Sequence, residues 1–168
     1  MEIRTARRAD LDRVGALWLA LLHEHAGLDA RFGVAGDALQ RWKNDAPFWL
    51  SDADRHLAVA VCEGEPVGFA AAQRWRPPPI YAAVPEVHLD ELYVVPAWRG
   101  RGLGRRLAGA VRAWAEAEGA ERLRLGVLAA NADARAFWER LGARPLALTY
   151  TLVLTPEAAP EKRGRLGF

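Results

Sequence analysis

Leu92-Tyr93-Val94-Val95-Pro96-Ala97-Trp98-Arg99-Gly100-Arg101-Gly102-Leu103-Gly104-Arg105 is the stretch that decides the fold. An apolar run stops at Pro96 and a glycine-rich turn comes next. From Leu103 onward, Leu107, Ala110, Val111 and Trp114 recur at the spacing of one helical face, up to a stop near Gly119. A strand therefore feeds a tight turn and then a helix. The first N–H groups of such a helix have no internal partners, and its dipole favours an anion, so the turn is a phosphate cradle by position.

The residues after the glycines exclude two phosphate-binding patterns. A mononucleotide loop needs Lys and then Ser or Thr after its last glycine, but Gly104 is followed by Arg105-Arg106. A dinucleotide fingerprint needs a third small residue, which would fall at Arg105 or Leu107. Two arginines within the turn and two directly after it would repel one another unless an anion lay between them.

Working outward, the apolar run extends back to residue 87 and forms a strand. Before it, Pro77-Pro78-Pro79 excludes strand and helix, so residues 75–85 read as a loop. Residues 56–62 and 66–73, joined by Glu63-Gly64-Glu65, read as a hairpin. Residues 2–5 form a short strand, and Asp10 caps a helix with Leu11, Val14, Leu17, Trp18 and Leu21 on one face. A second helix starts at about residue 37, with Leu39 and Trp42 facing inward. After the central helix, residues 122–128 alternate as a half-buried strand, Asn131 caps a helix closed by Gly142, and residues 147–154 form a last strand. The order is β-α-α-β-β-β-α-β-α-β. The βαβ unit at 87–128 makes its two strands parallel within a mixed α/β sheet.

The chain has 168 residues, 51% of them hydrophobic and 26% charged, which suits one domain over residues 1–154 followed by a flexible tail at 155–168. The longest apolar run, residues 14–22, is about half of what crossing a bilayer takes. The N-terminus shows no secretory pattern, so the expected setting is cytoplasmic. Cys62 is the only cysteine, which leaves no internal disulfide and no thiolate-rich metal site. A formal charge of +2, with arginines interleaved with acids, gives no nucleic-acid footprint.

Arg99-Gly100-Arg101-Gly102-Leu103-Gly104 has the form Arg-x-x-Gly-x-Gly, which resembles the pyrophosphate-binding signature of the GNAT superfamily of N-acetyltransferases. Leu92 to Gly100 looks like the family's fourth strand running into that turn. Asn131-x-x-Ala134 and Arg140-Leu141-Gly142-Ala143 are similar to the region between its fifth strand and fourth helix. The resemblance implies a GNAT-like fold with a splay between strands four and five, and acetyl-CoA as co-substrate. It implies the pyrophosphate on the amides of Gly100, Arg101, Gly102, Leu103, Gly104 and Arg105, with Arg99 opening the turn. The pantetheine arm would then run along Leu92, Tyr93 and Val94, bordered by Asn131. Pairing of the final strand between subunits is common in the family, so a homodimer is open to this chain.

Acetyl transfer to an amine needs a base, because an alkylammonium holds its proton at neutral pH. His88, Asp90 and Glu91 lie just before the pantetheine strand. By the period of two, His88, Asp90 and Leu92 share one face and Glu91 takes the other, unless a bulge re-aims it. The resemblance puts Asp90 where polyamine-acetylating members have a base glutamate, and His88 where others have a glutamate or histidine. The oxyanion would meet a strand N–H, that of Val94. One departure is Trp138, where the family's usual general acid is a tyrosine, with Tyr93 and Tyr150 as substitutes that no spacing singles out. Another is Gly126, where some protein-acetylating members keep a glutamate. Trp75 could wall an acceptor pocket or stack on a cation. Asp29, Glu86, Asp90 and Glu91 would make the acceptor side acidic, which favours a cationic small molecule such as a polyamine-like or aminoglycoside-like amine. The alternatives are a non-catalytic acetyl-CoA sensor and a protein N-terminal or lysine acetyltransferase.

Overall fold

The computed structural model describes residues 1–168 except 79, 81–83, 153 and 155–168. Among the described residues, five strands form one sheet in sequential order: β1 (Glu2–Thr5), β2 (Arg55–Cys62), β3 (Glu65–Trp75), β4 (Glu86–Val94) and β5 (Arg122–Leu125). The first three pairings are antiparallel and β4–β5 is parallel, as a βαβ crossover requires. The helices are α1 (Leu11–Leu28), α2 (Ala38–Asp45), α3 (Phe48–Ser51), α4 (Leu103–Ala117) and α5 (Ala132–Arg140).

Alternation along the strands divides the core between the two faces of the sheet. Leu57, Val59, Phe69, Ala71 and Tyr93 pack with Val14, Leu17 and Leu21 of α1 and with Trp42 of α2. Ala58, Ala60, Ala70, Ala72, Val87 and Leu89 pack with Leu103, Leu107 and Val111 of α4. Helices cover both faces of β2 and β3, so these strands read as nearly continuous apolar runs. Asp10 is buried but does not cap α1. Its carboxylate takes two hydrogen bonds from Arg4, at 2.7 and 3.0 Å, and one from the Arg7 amide. Asn131 does cap α5, accepting from the Ala134 amide at 3.0 Å.

Two expectations change at the C-terminal end. The strand expected over 122–128 stops at Leu125, because β4 and β5 share only four rungs, from Glu86↔Arg122 to Leu89↔Leu125, before diverging. The final strand expected over 147–154 pairs with nothing among the described residues. Leu146, Leu148, Tyr150, Leu152 and Leu154 are all exposed, so strand propensity there has no neighbour to act on. The tail expected at 155–168 lies outside the described residues. Among the described residues, no helix is long and apolar enough to cross a membrane.

Candidate active site

The divergence of β4 from β5 opens a cavity of about 1010 Å³ lined by residues 89–94 of β4, by residues 125–128 and by α5. From Asp90 onward β4 has lost its β5 partner, so one edge of its backbone borders this space. At one end of the cavity lies the glycine turn. Gly100 and Gly102 adopt φ of 72° and 77°, a left-handed conformation that side-chain-bearing residues rarely take, and α4 starts at Leu103. Arg101 lies 4.8 Å over the Trp98 ring. The Arg99 guanidinium turns back under the strand: it donates to the Val94 carbonyl at 2.8 Å and to both oxygens of Glu24 in α1, at 2.7 and 2.9 Å. Tyr93 donates to the same Glu24 at 3.1 Å. Burial, and then the Glu24 carboxylate, push the Tyr93 hydroxyl up. Asn131 and Trp138 line the opposite wall, the latter edge-on to Phe137 at 4.9 Å.

The acids lie where β4 is irregular. Ala71 pairs with Glu91 and Ala72 with Leu89, so Asp90 is an extra residue in β4, a β-bulge. The bulge resets the alternation. Val87 and Leu89 pack toward α4 before it and Val94 after it, while Tyr93 packs toward α1. Glu91 thereby joins the α1 side, where the Trp18 indole donates to it at 3.3 Å, and Leu92 packs toward α4. The unbulged grouping of His88, Asp90 and Leu92 on one face is thus corrected: His88 and Asp90 are in contact, Glu91 faces α1, and Leu92 lies opposite.

Asp90 Oδ1 accepts from Gln73 at 2.9 Å and lies 3.0 Å from His88 Nδ1. Its Oδ2 is buried and has no hydrogen-bond partner among the described residues. Asp90 lines the cavity, and this oxygen keeps an unused acceptor position. Burial, reinforced by the charge of Asp90, pushes the Glu91 carboxyl up to about 7.

Trp18 and Trp42 stack at 5.5 Å in the core, yet the Trp18 N–H also serves Glu91, a link that sequence spacing does not expose. Sequence reasoning misses Gln73 and Glu24 as well. The one local signal for Gln73 is a polar residue closing a nearly continuous apolar strand. Of the four acids expected to colour the acceptor side, Asp29 pairs with Arg31, and Glu86 lies between Arg122 at 3.2 Å and Arg124 at 3.5 Å. Only Asp90 and Glu91 of that set line the cavity. Tyr150 lies on the exposed segment after α5.

The sequence model of the acetyltransferase (GNAT) family matches residues 19–143. The chain belongs to that family. This GNAT chain is 36% identical over 97 residues to MJ1207 of Methanocaldococcus jannaschii, an uncharacterized N-acetyltransferase. The match covers 56% of this chain and 42% of that protein, so the chain spans less than half the length of the curated relative. A mutant of the BH1408 protein from Bacillus halodurans superposes with a TM-score of 0.81 at 22% identity, over 92% of this chain and all of that one. The aminoglycoside N-acetyltransferase AAC(6')-Iy, solved in complex with CoA, does so with a TM-score of 0.72 at 20% identity, over 90% and 93% of the two chains. At these identities the superpositions speak to the fold.

Proposed function

We propose that this chain is an acetyl-CoA-dependent N-acetyltransferase that acts on a primary amine of a small molecule, the amine arriving as an ammonium. The observation that carries the reading is Asp90, a carboxylate with one unsatisfied oxygen, in the lining of the cavity between β4 and β5. The glycine turn fits a polyphosphate, with N–H groups freed by the left-handed glycines and by the start of α4. The unpaired edge of β4 from Leu92 to Val94 fits an amide-bearing arm in the manner of a missing strand.

Asp90 would take the proton of the ammonium, and Gln73 and His88 fix its carboxylate by holding the other oxygen. The freed amine attacks the thioester carbonyl, a strand N–H, that of Val94, meets the oxyanion of the tetrahedral intermediate, and the carbon–sulfur bond breaks to release CoA thiolate, which takes up the second proton shed by the nitrogen, directly or through water. Thiolate leaves tolerably without a dedicated acid, so Trp138 in place of tyrosine does not stop the reaction. Glu91 adds a second carboxylate to the acceptor side, in its charged form above about pH 7.

The test measures CoA thiol release from acetyl-CoA against a panel that includes polyamines, aminoglycosides and simple alkylamines, with Asp90→Ala and Trp138→Tyr beside the wild type. Turnover that depends on one amine class and falls sharply in Asp90→Ala supports the reading. Tight acetyl-CoA binding with no turnover in any variant overturns it in favour of a sensor, which the Trp138 departure would then explain. The reading extends to a homodimer: five apolar side chains at even positions 146–154 are 71–87% exposed. Sedimentation of a monomer at high concentration would remove that part.

A further inference from the structure

Next to the bulge, on the same face of the sheet, lies a group of side chains of which the mechanism uses only Gln73 and His88. Two rungs cross three strands there, Trp75–Glu86–Arg122 and Gln73–His88–Arg124, and laterally paired residues project to one side. His88 joins this group to Asp90, which it contacts at 3.0 Å. The Trp75 ring lies 6.0 Å from that of His88, and the Arg124 guanidinium lies 5.3 Å over Trp75. The face is open: Trp75 is 40% exposed.

The charges here are separated. Glu86 is buried and faces both guanidiniums, receiving a hydrogen bond from Arg122 at 3.2 Å and lying 3.5 Å from Arg124. At the β5 end one carboxylate lies between two arginines, while the other carboxylate of the group, Asp90, is held at the opposite end by His88 and Gln73. Trp75 lies beneath the Arg124 guanidinium, and none of the guanidinium N–H groups donates a hydrogen bond among the described residues. An arginine held on two sides with its donors unspent is preorganised for an anion.

Resting on the acetyl-transfer reading above, we propose that Arg124, held by Trp75 and Glu86, binds an anionic group of the acceptor. The amine would then carry a carboxylate or phosphate separated from its nitrogen by several bonds. One strand across and two residues along from Asp90 is a diagonal of roughly 8 Å. That separation is longer than an α-amino acid spans between its amine and its own carboxylate. A polyamine would bring its second ammonium toward Arg122 and Arg124, where like charge opposes it.

The experiment uses four amines of equal chain length: an alkylamine, a diamine, an ω-amino acid and an ω-aminoalkyl phosphate. Thiol release is measured for wild type, Arg124→Gln and Arg124→Lys, and the ω-amino acid and the diamine are titrated calorimetrically into each protein with CoA present. The expected result is a kcat/KM about tenfold or more higher for at least one anionic amine than for the other two, with the stronger arm identifying carboxylate or phosphate. Arg124→Gln should collapse that advantage through KM, and Arg124→Lys should restore part of it. A wild-type preference for the diamine overturns the proposal, as does an Arg124→Gln variant that lowers all four amines by one factor. If no amine drives thiol release, acetyl transfer fails, and calorimetry decides Arg124 separately. Tighter binding of the ω-amino acid to wild type than to Arg124→Gln supports the site, and equal binding rejects it.

Discussion

The glycine turn at 99–105 and the bulge at 88–91 border one cavity but are built on opposite principles. The turn offers backbone: Gly100 and Gly102 are left-handed, and its first arginine is bound to Glu24 and Val94. The bulge offers side chains: one extra residue in β4 brings two carboxylates and an imidazole to one side of the sheet and holds them with Gln73 and Trp18. The difference teaches where substitutions should act. Changing a side-chain functional group should silence the bulge and leave the turn intact, whereas the turn should respond only to changes in backbone conformation.

The largest effect is expected at Asp90. Asp90→Asn keeps the volume and can keep the Gln73 contact but cannot accept the ammonium proton, so kcat should fall by about 10²-fold or more with the KM for acetyl-CoA little changed. Steady-state kinetics with both substrates varied is the check, and a loss confined to the acetyl-CoA KM would contradict the division.

Next comes Glu91, whose carboxyl is pushed up to about 7 by burial. Because the folded value lies above the unfolded one, the folded state binds the extra proton between about pH 4.5 and 7. The carboxyl is accommodated best below about 4.5, and that advantage is lost as pH rises through 7. Glu91→Gln, which can still accept from Trp18, should remove this pH dependence and gain about 2–3 kcal/mol over the wild type at pH 8. Denaturant unfolding of both proteins at pH 5 and pH 8 measures the difference, and parallel curves would mean that Glu91 is better solvated than its surroundings imply.

Gly102 tests the other principle. With φ at 77°, Gly102→Val strains the turn by about 1–2 kcal/mol and displaces the N–H groups at the start of α4. The KM for acetyl-CoA should rise roughly tenfold with a much smaller change in kcat. A kcat that fell as far as in Asp90→Asn would show the two regions to be one machine.

The same contrast explains what can be read from the sequence. A backbone site needs its glycines close together along the chain, so the turn, the helix after it and the parallel unit around it are all legible. The bulge is a mismatch in count between Ala71–Ala72 and Leu89–Glu91 on two strands, and neither strand records it alone. Trp18 and Glu24 come from α1, far from the bulge in sequence, and their spacing reads equally well as core and as surface. At 147–154 the alternation is visible, but a strand is completed by its partner, and alternation does not name one.

The smallest expected effect separates a structural tyrosine from a chemical one. Tyr93 lines the cavity, and with Trp138 at the usual position it is the natural candidate for the missing acid. Its hydroxyl, however, donates to Glu24 at 3.1 Å, and the Arg99 guanidinium lies 5.3 Å over its ring, so its proton is committed to the tie between α1 and the turn. Tyr93→Phe keeps the buried ring and removes one hydrogen bond to a charged partner. It should cost about 1–2 kcal/mol of stability and leave kcat within a few-fold of wild type. If Tyr93 delivered the proton to the leaving thiolate, kcat would instead fall by about 10²-fold, and the alkaline limb of its pH profile would disappear. In the first outcome the side-chain chemistry stays confined to the bulge. In the second the cavity has a proton donor on the turn side, and its two regions divide the reaction between them.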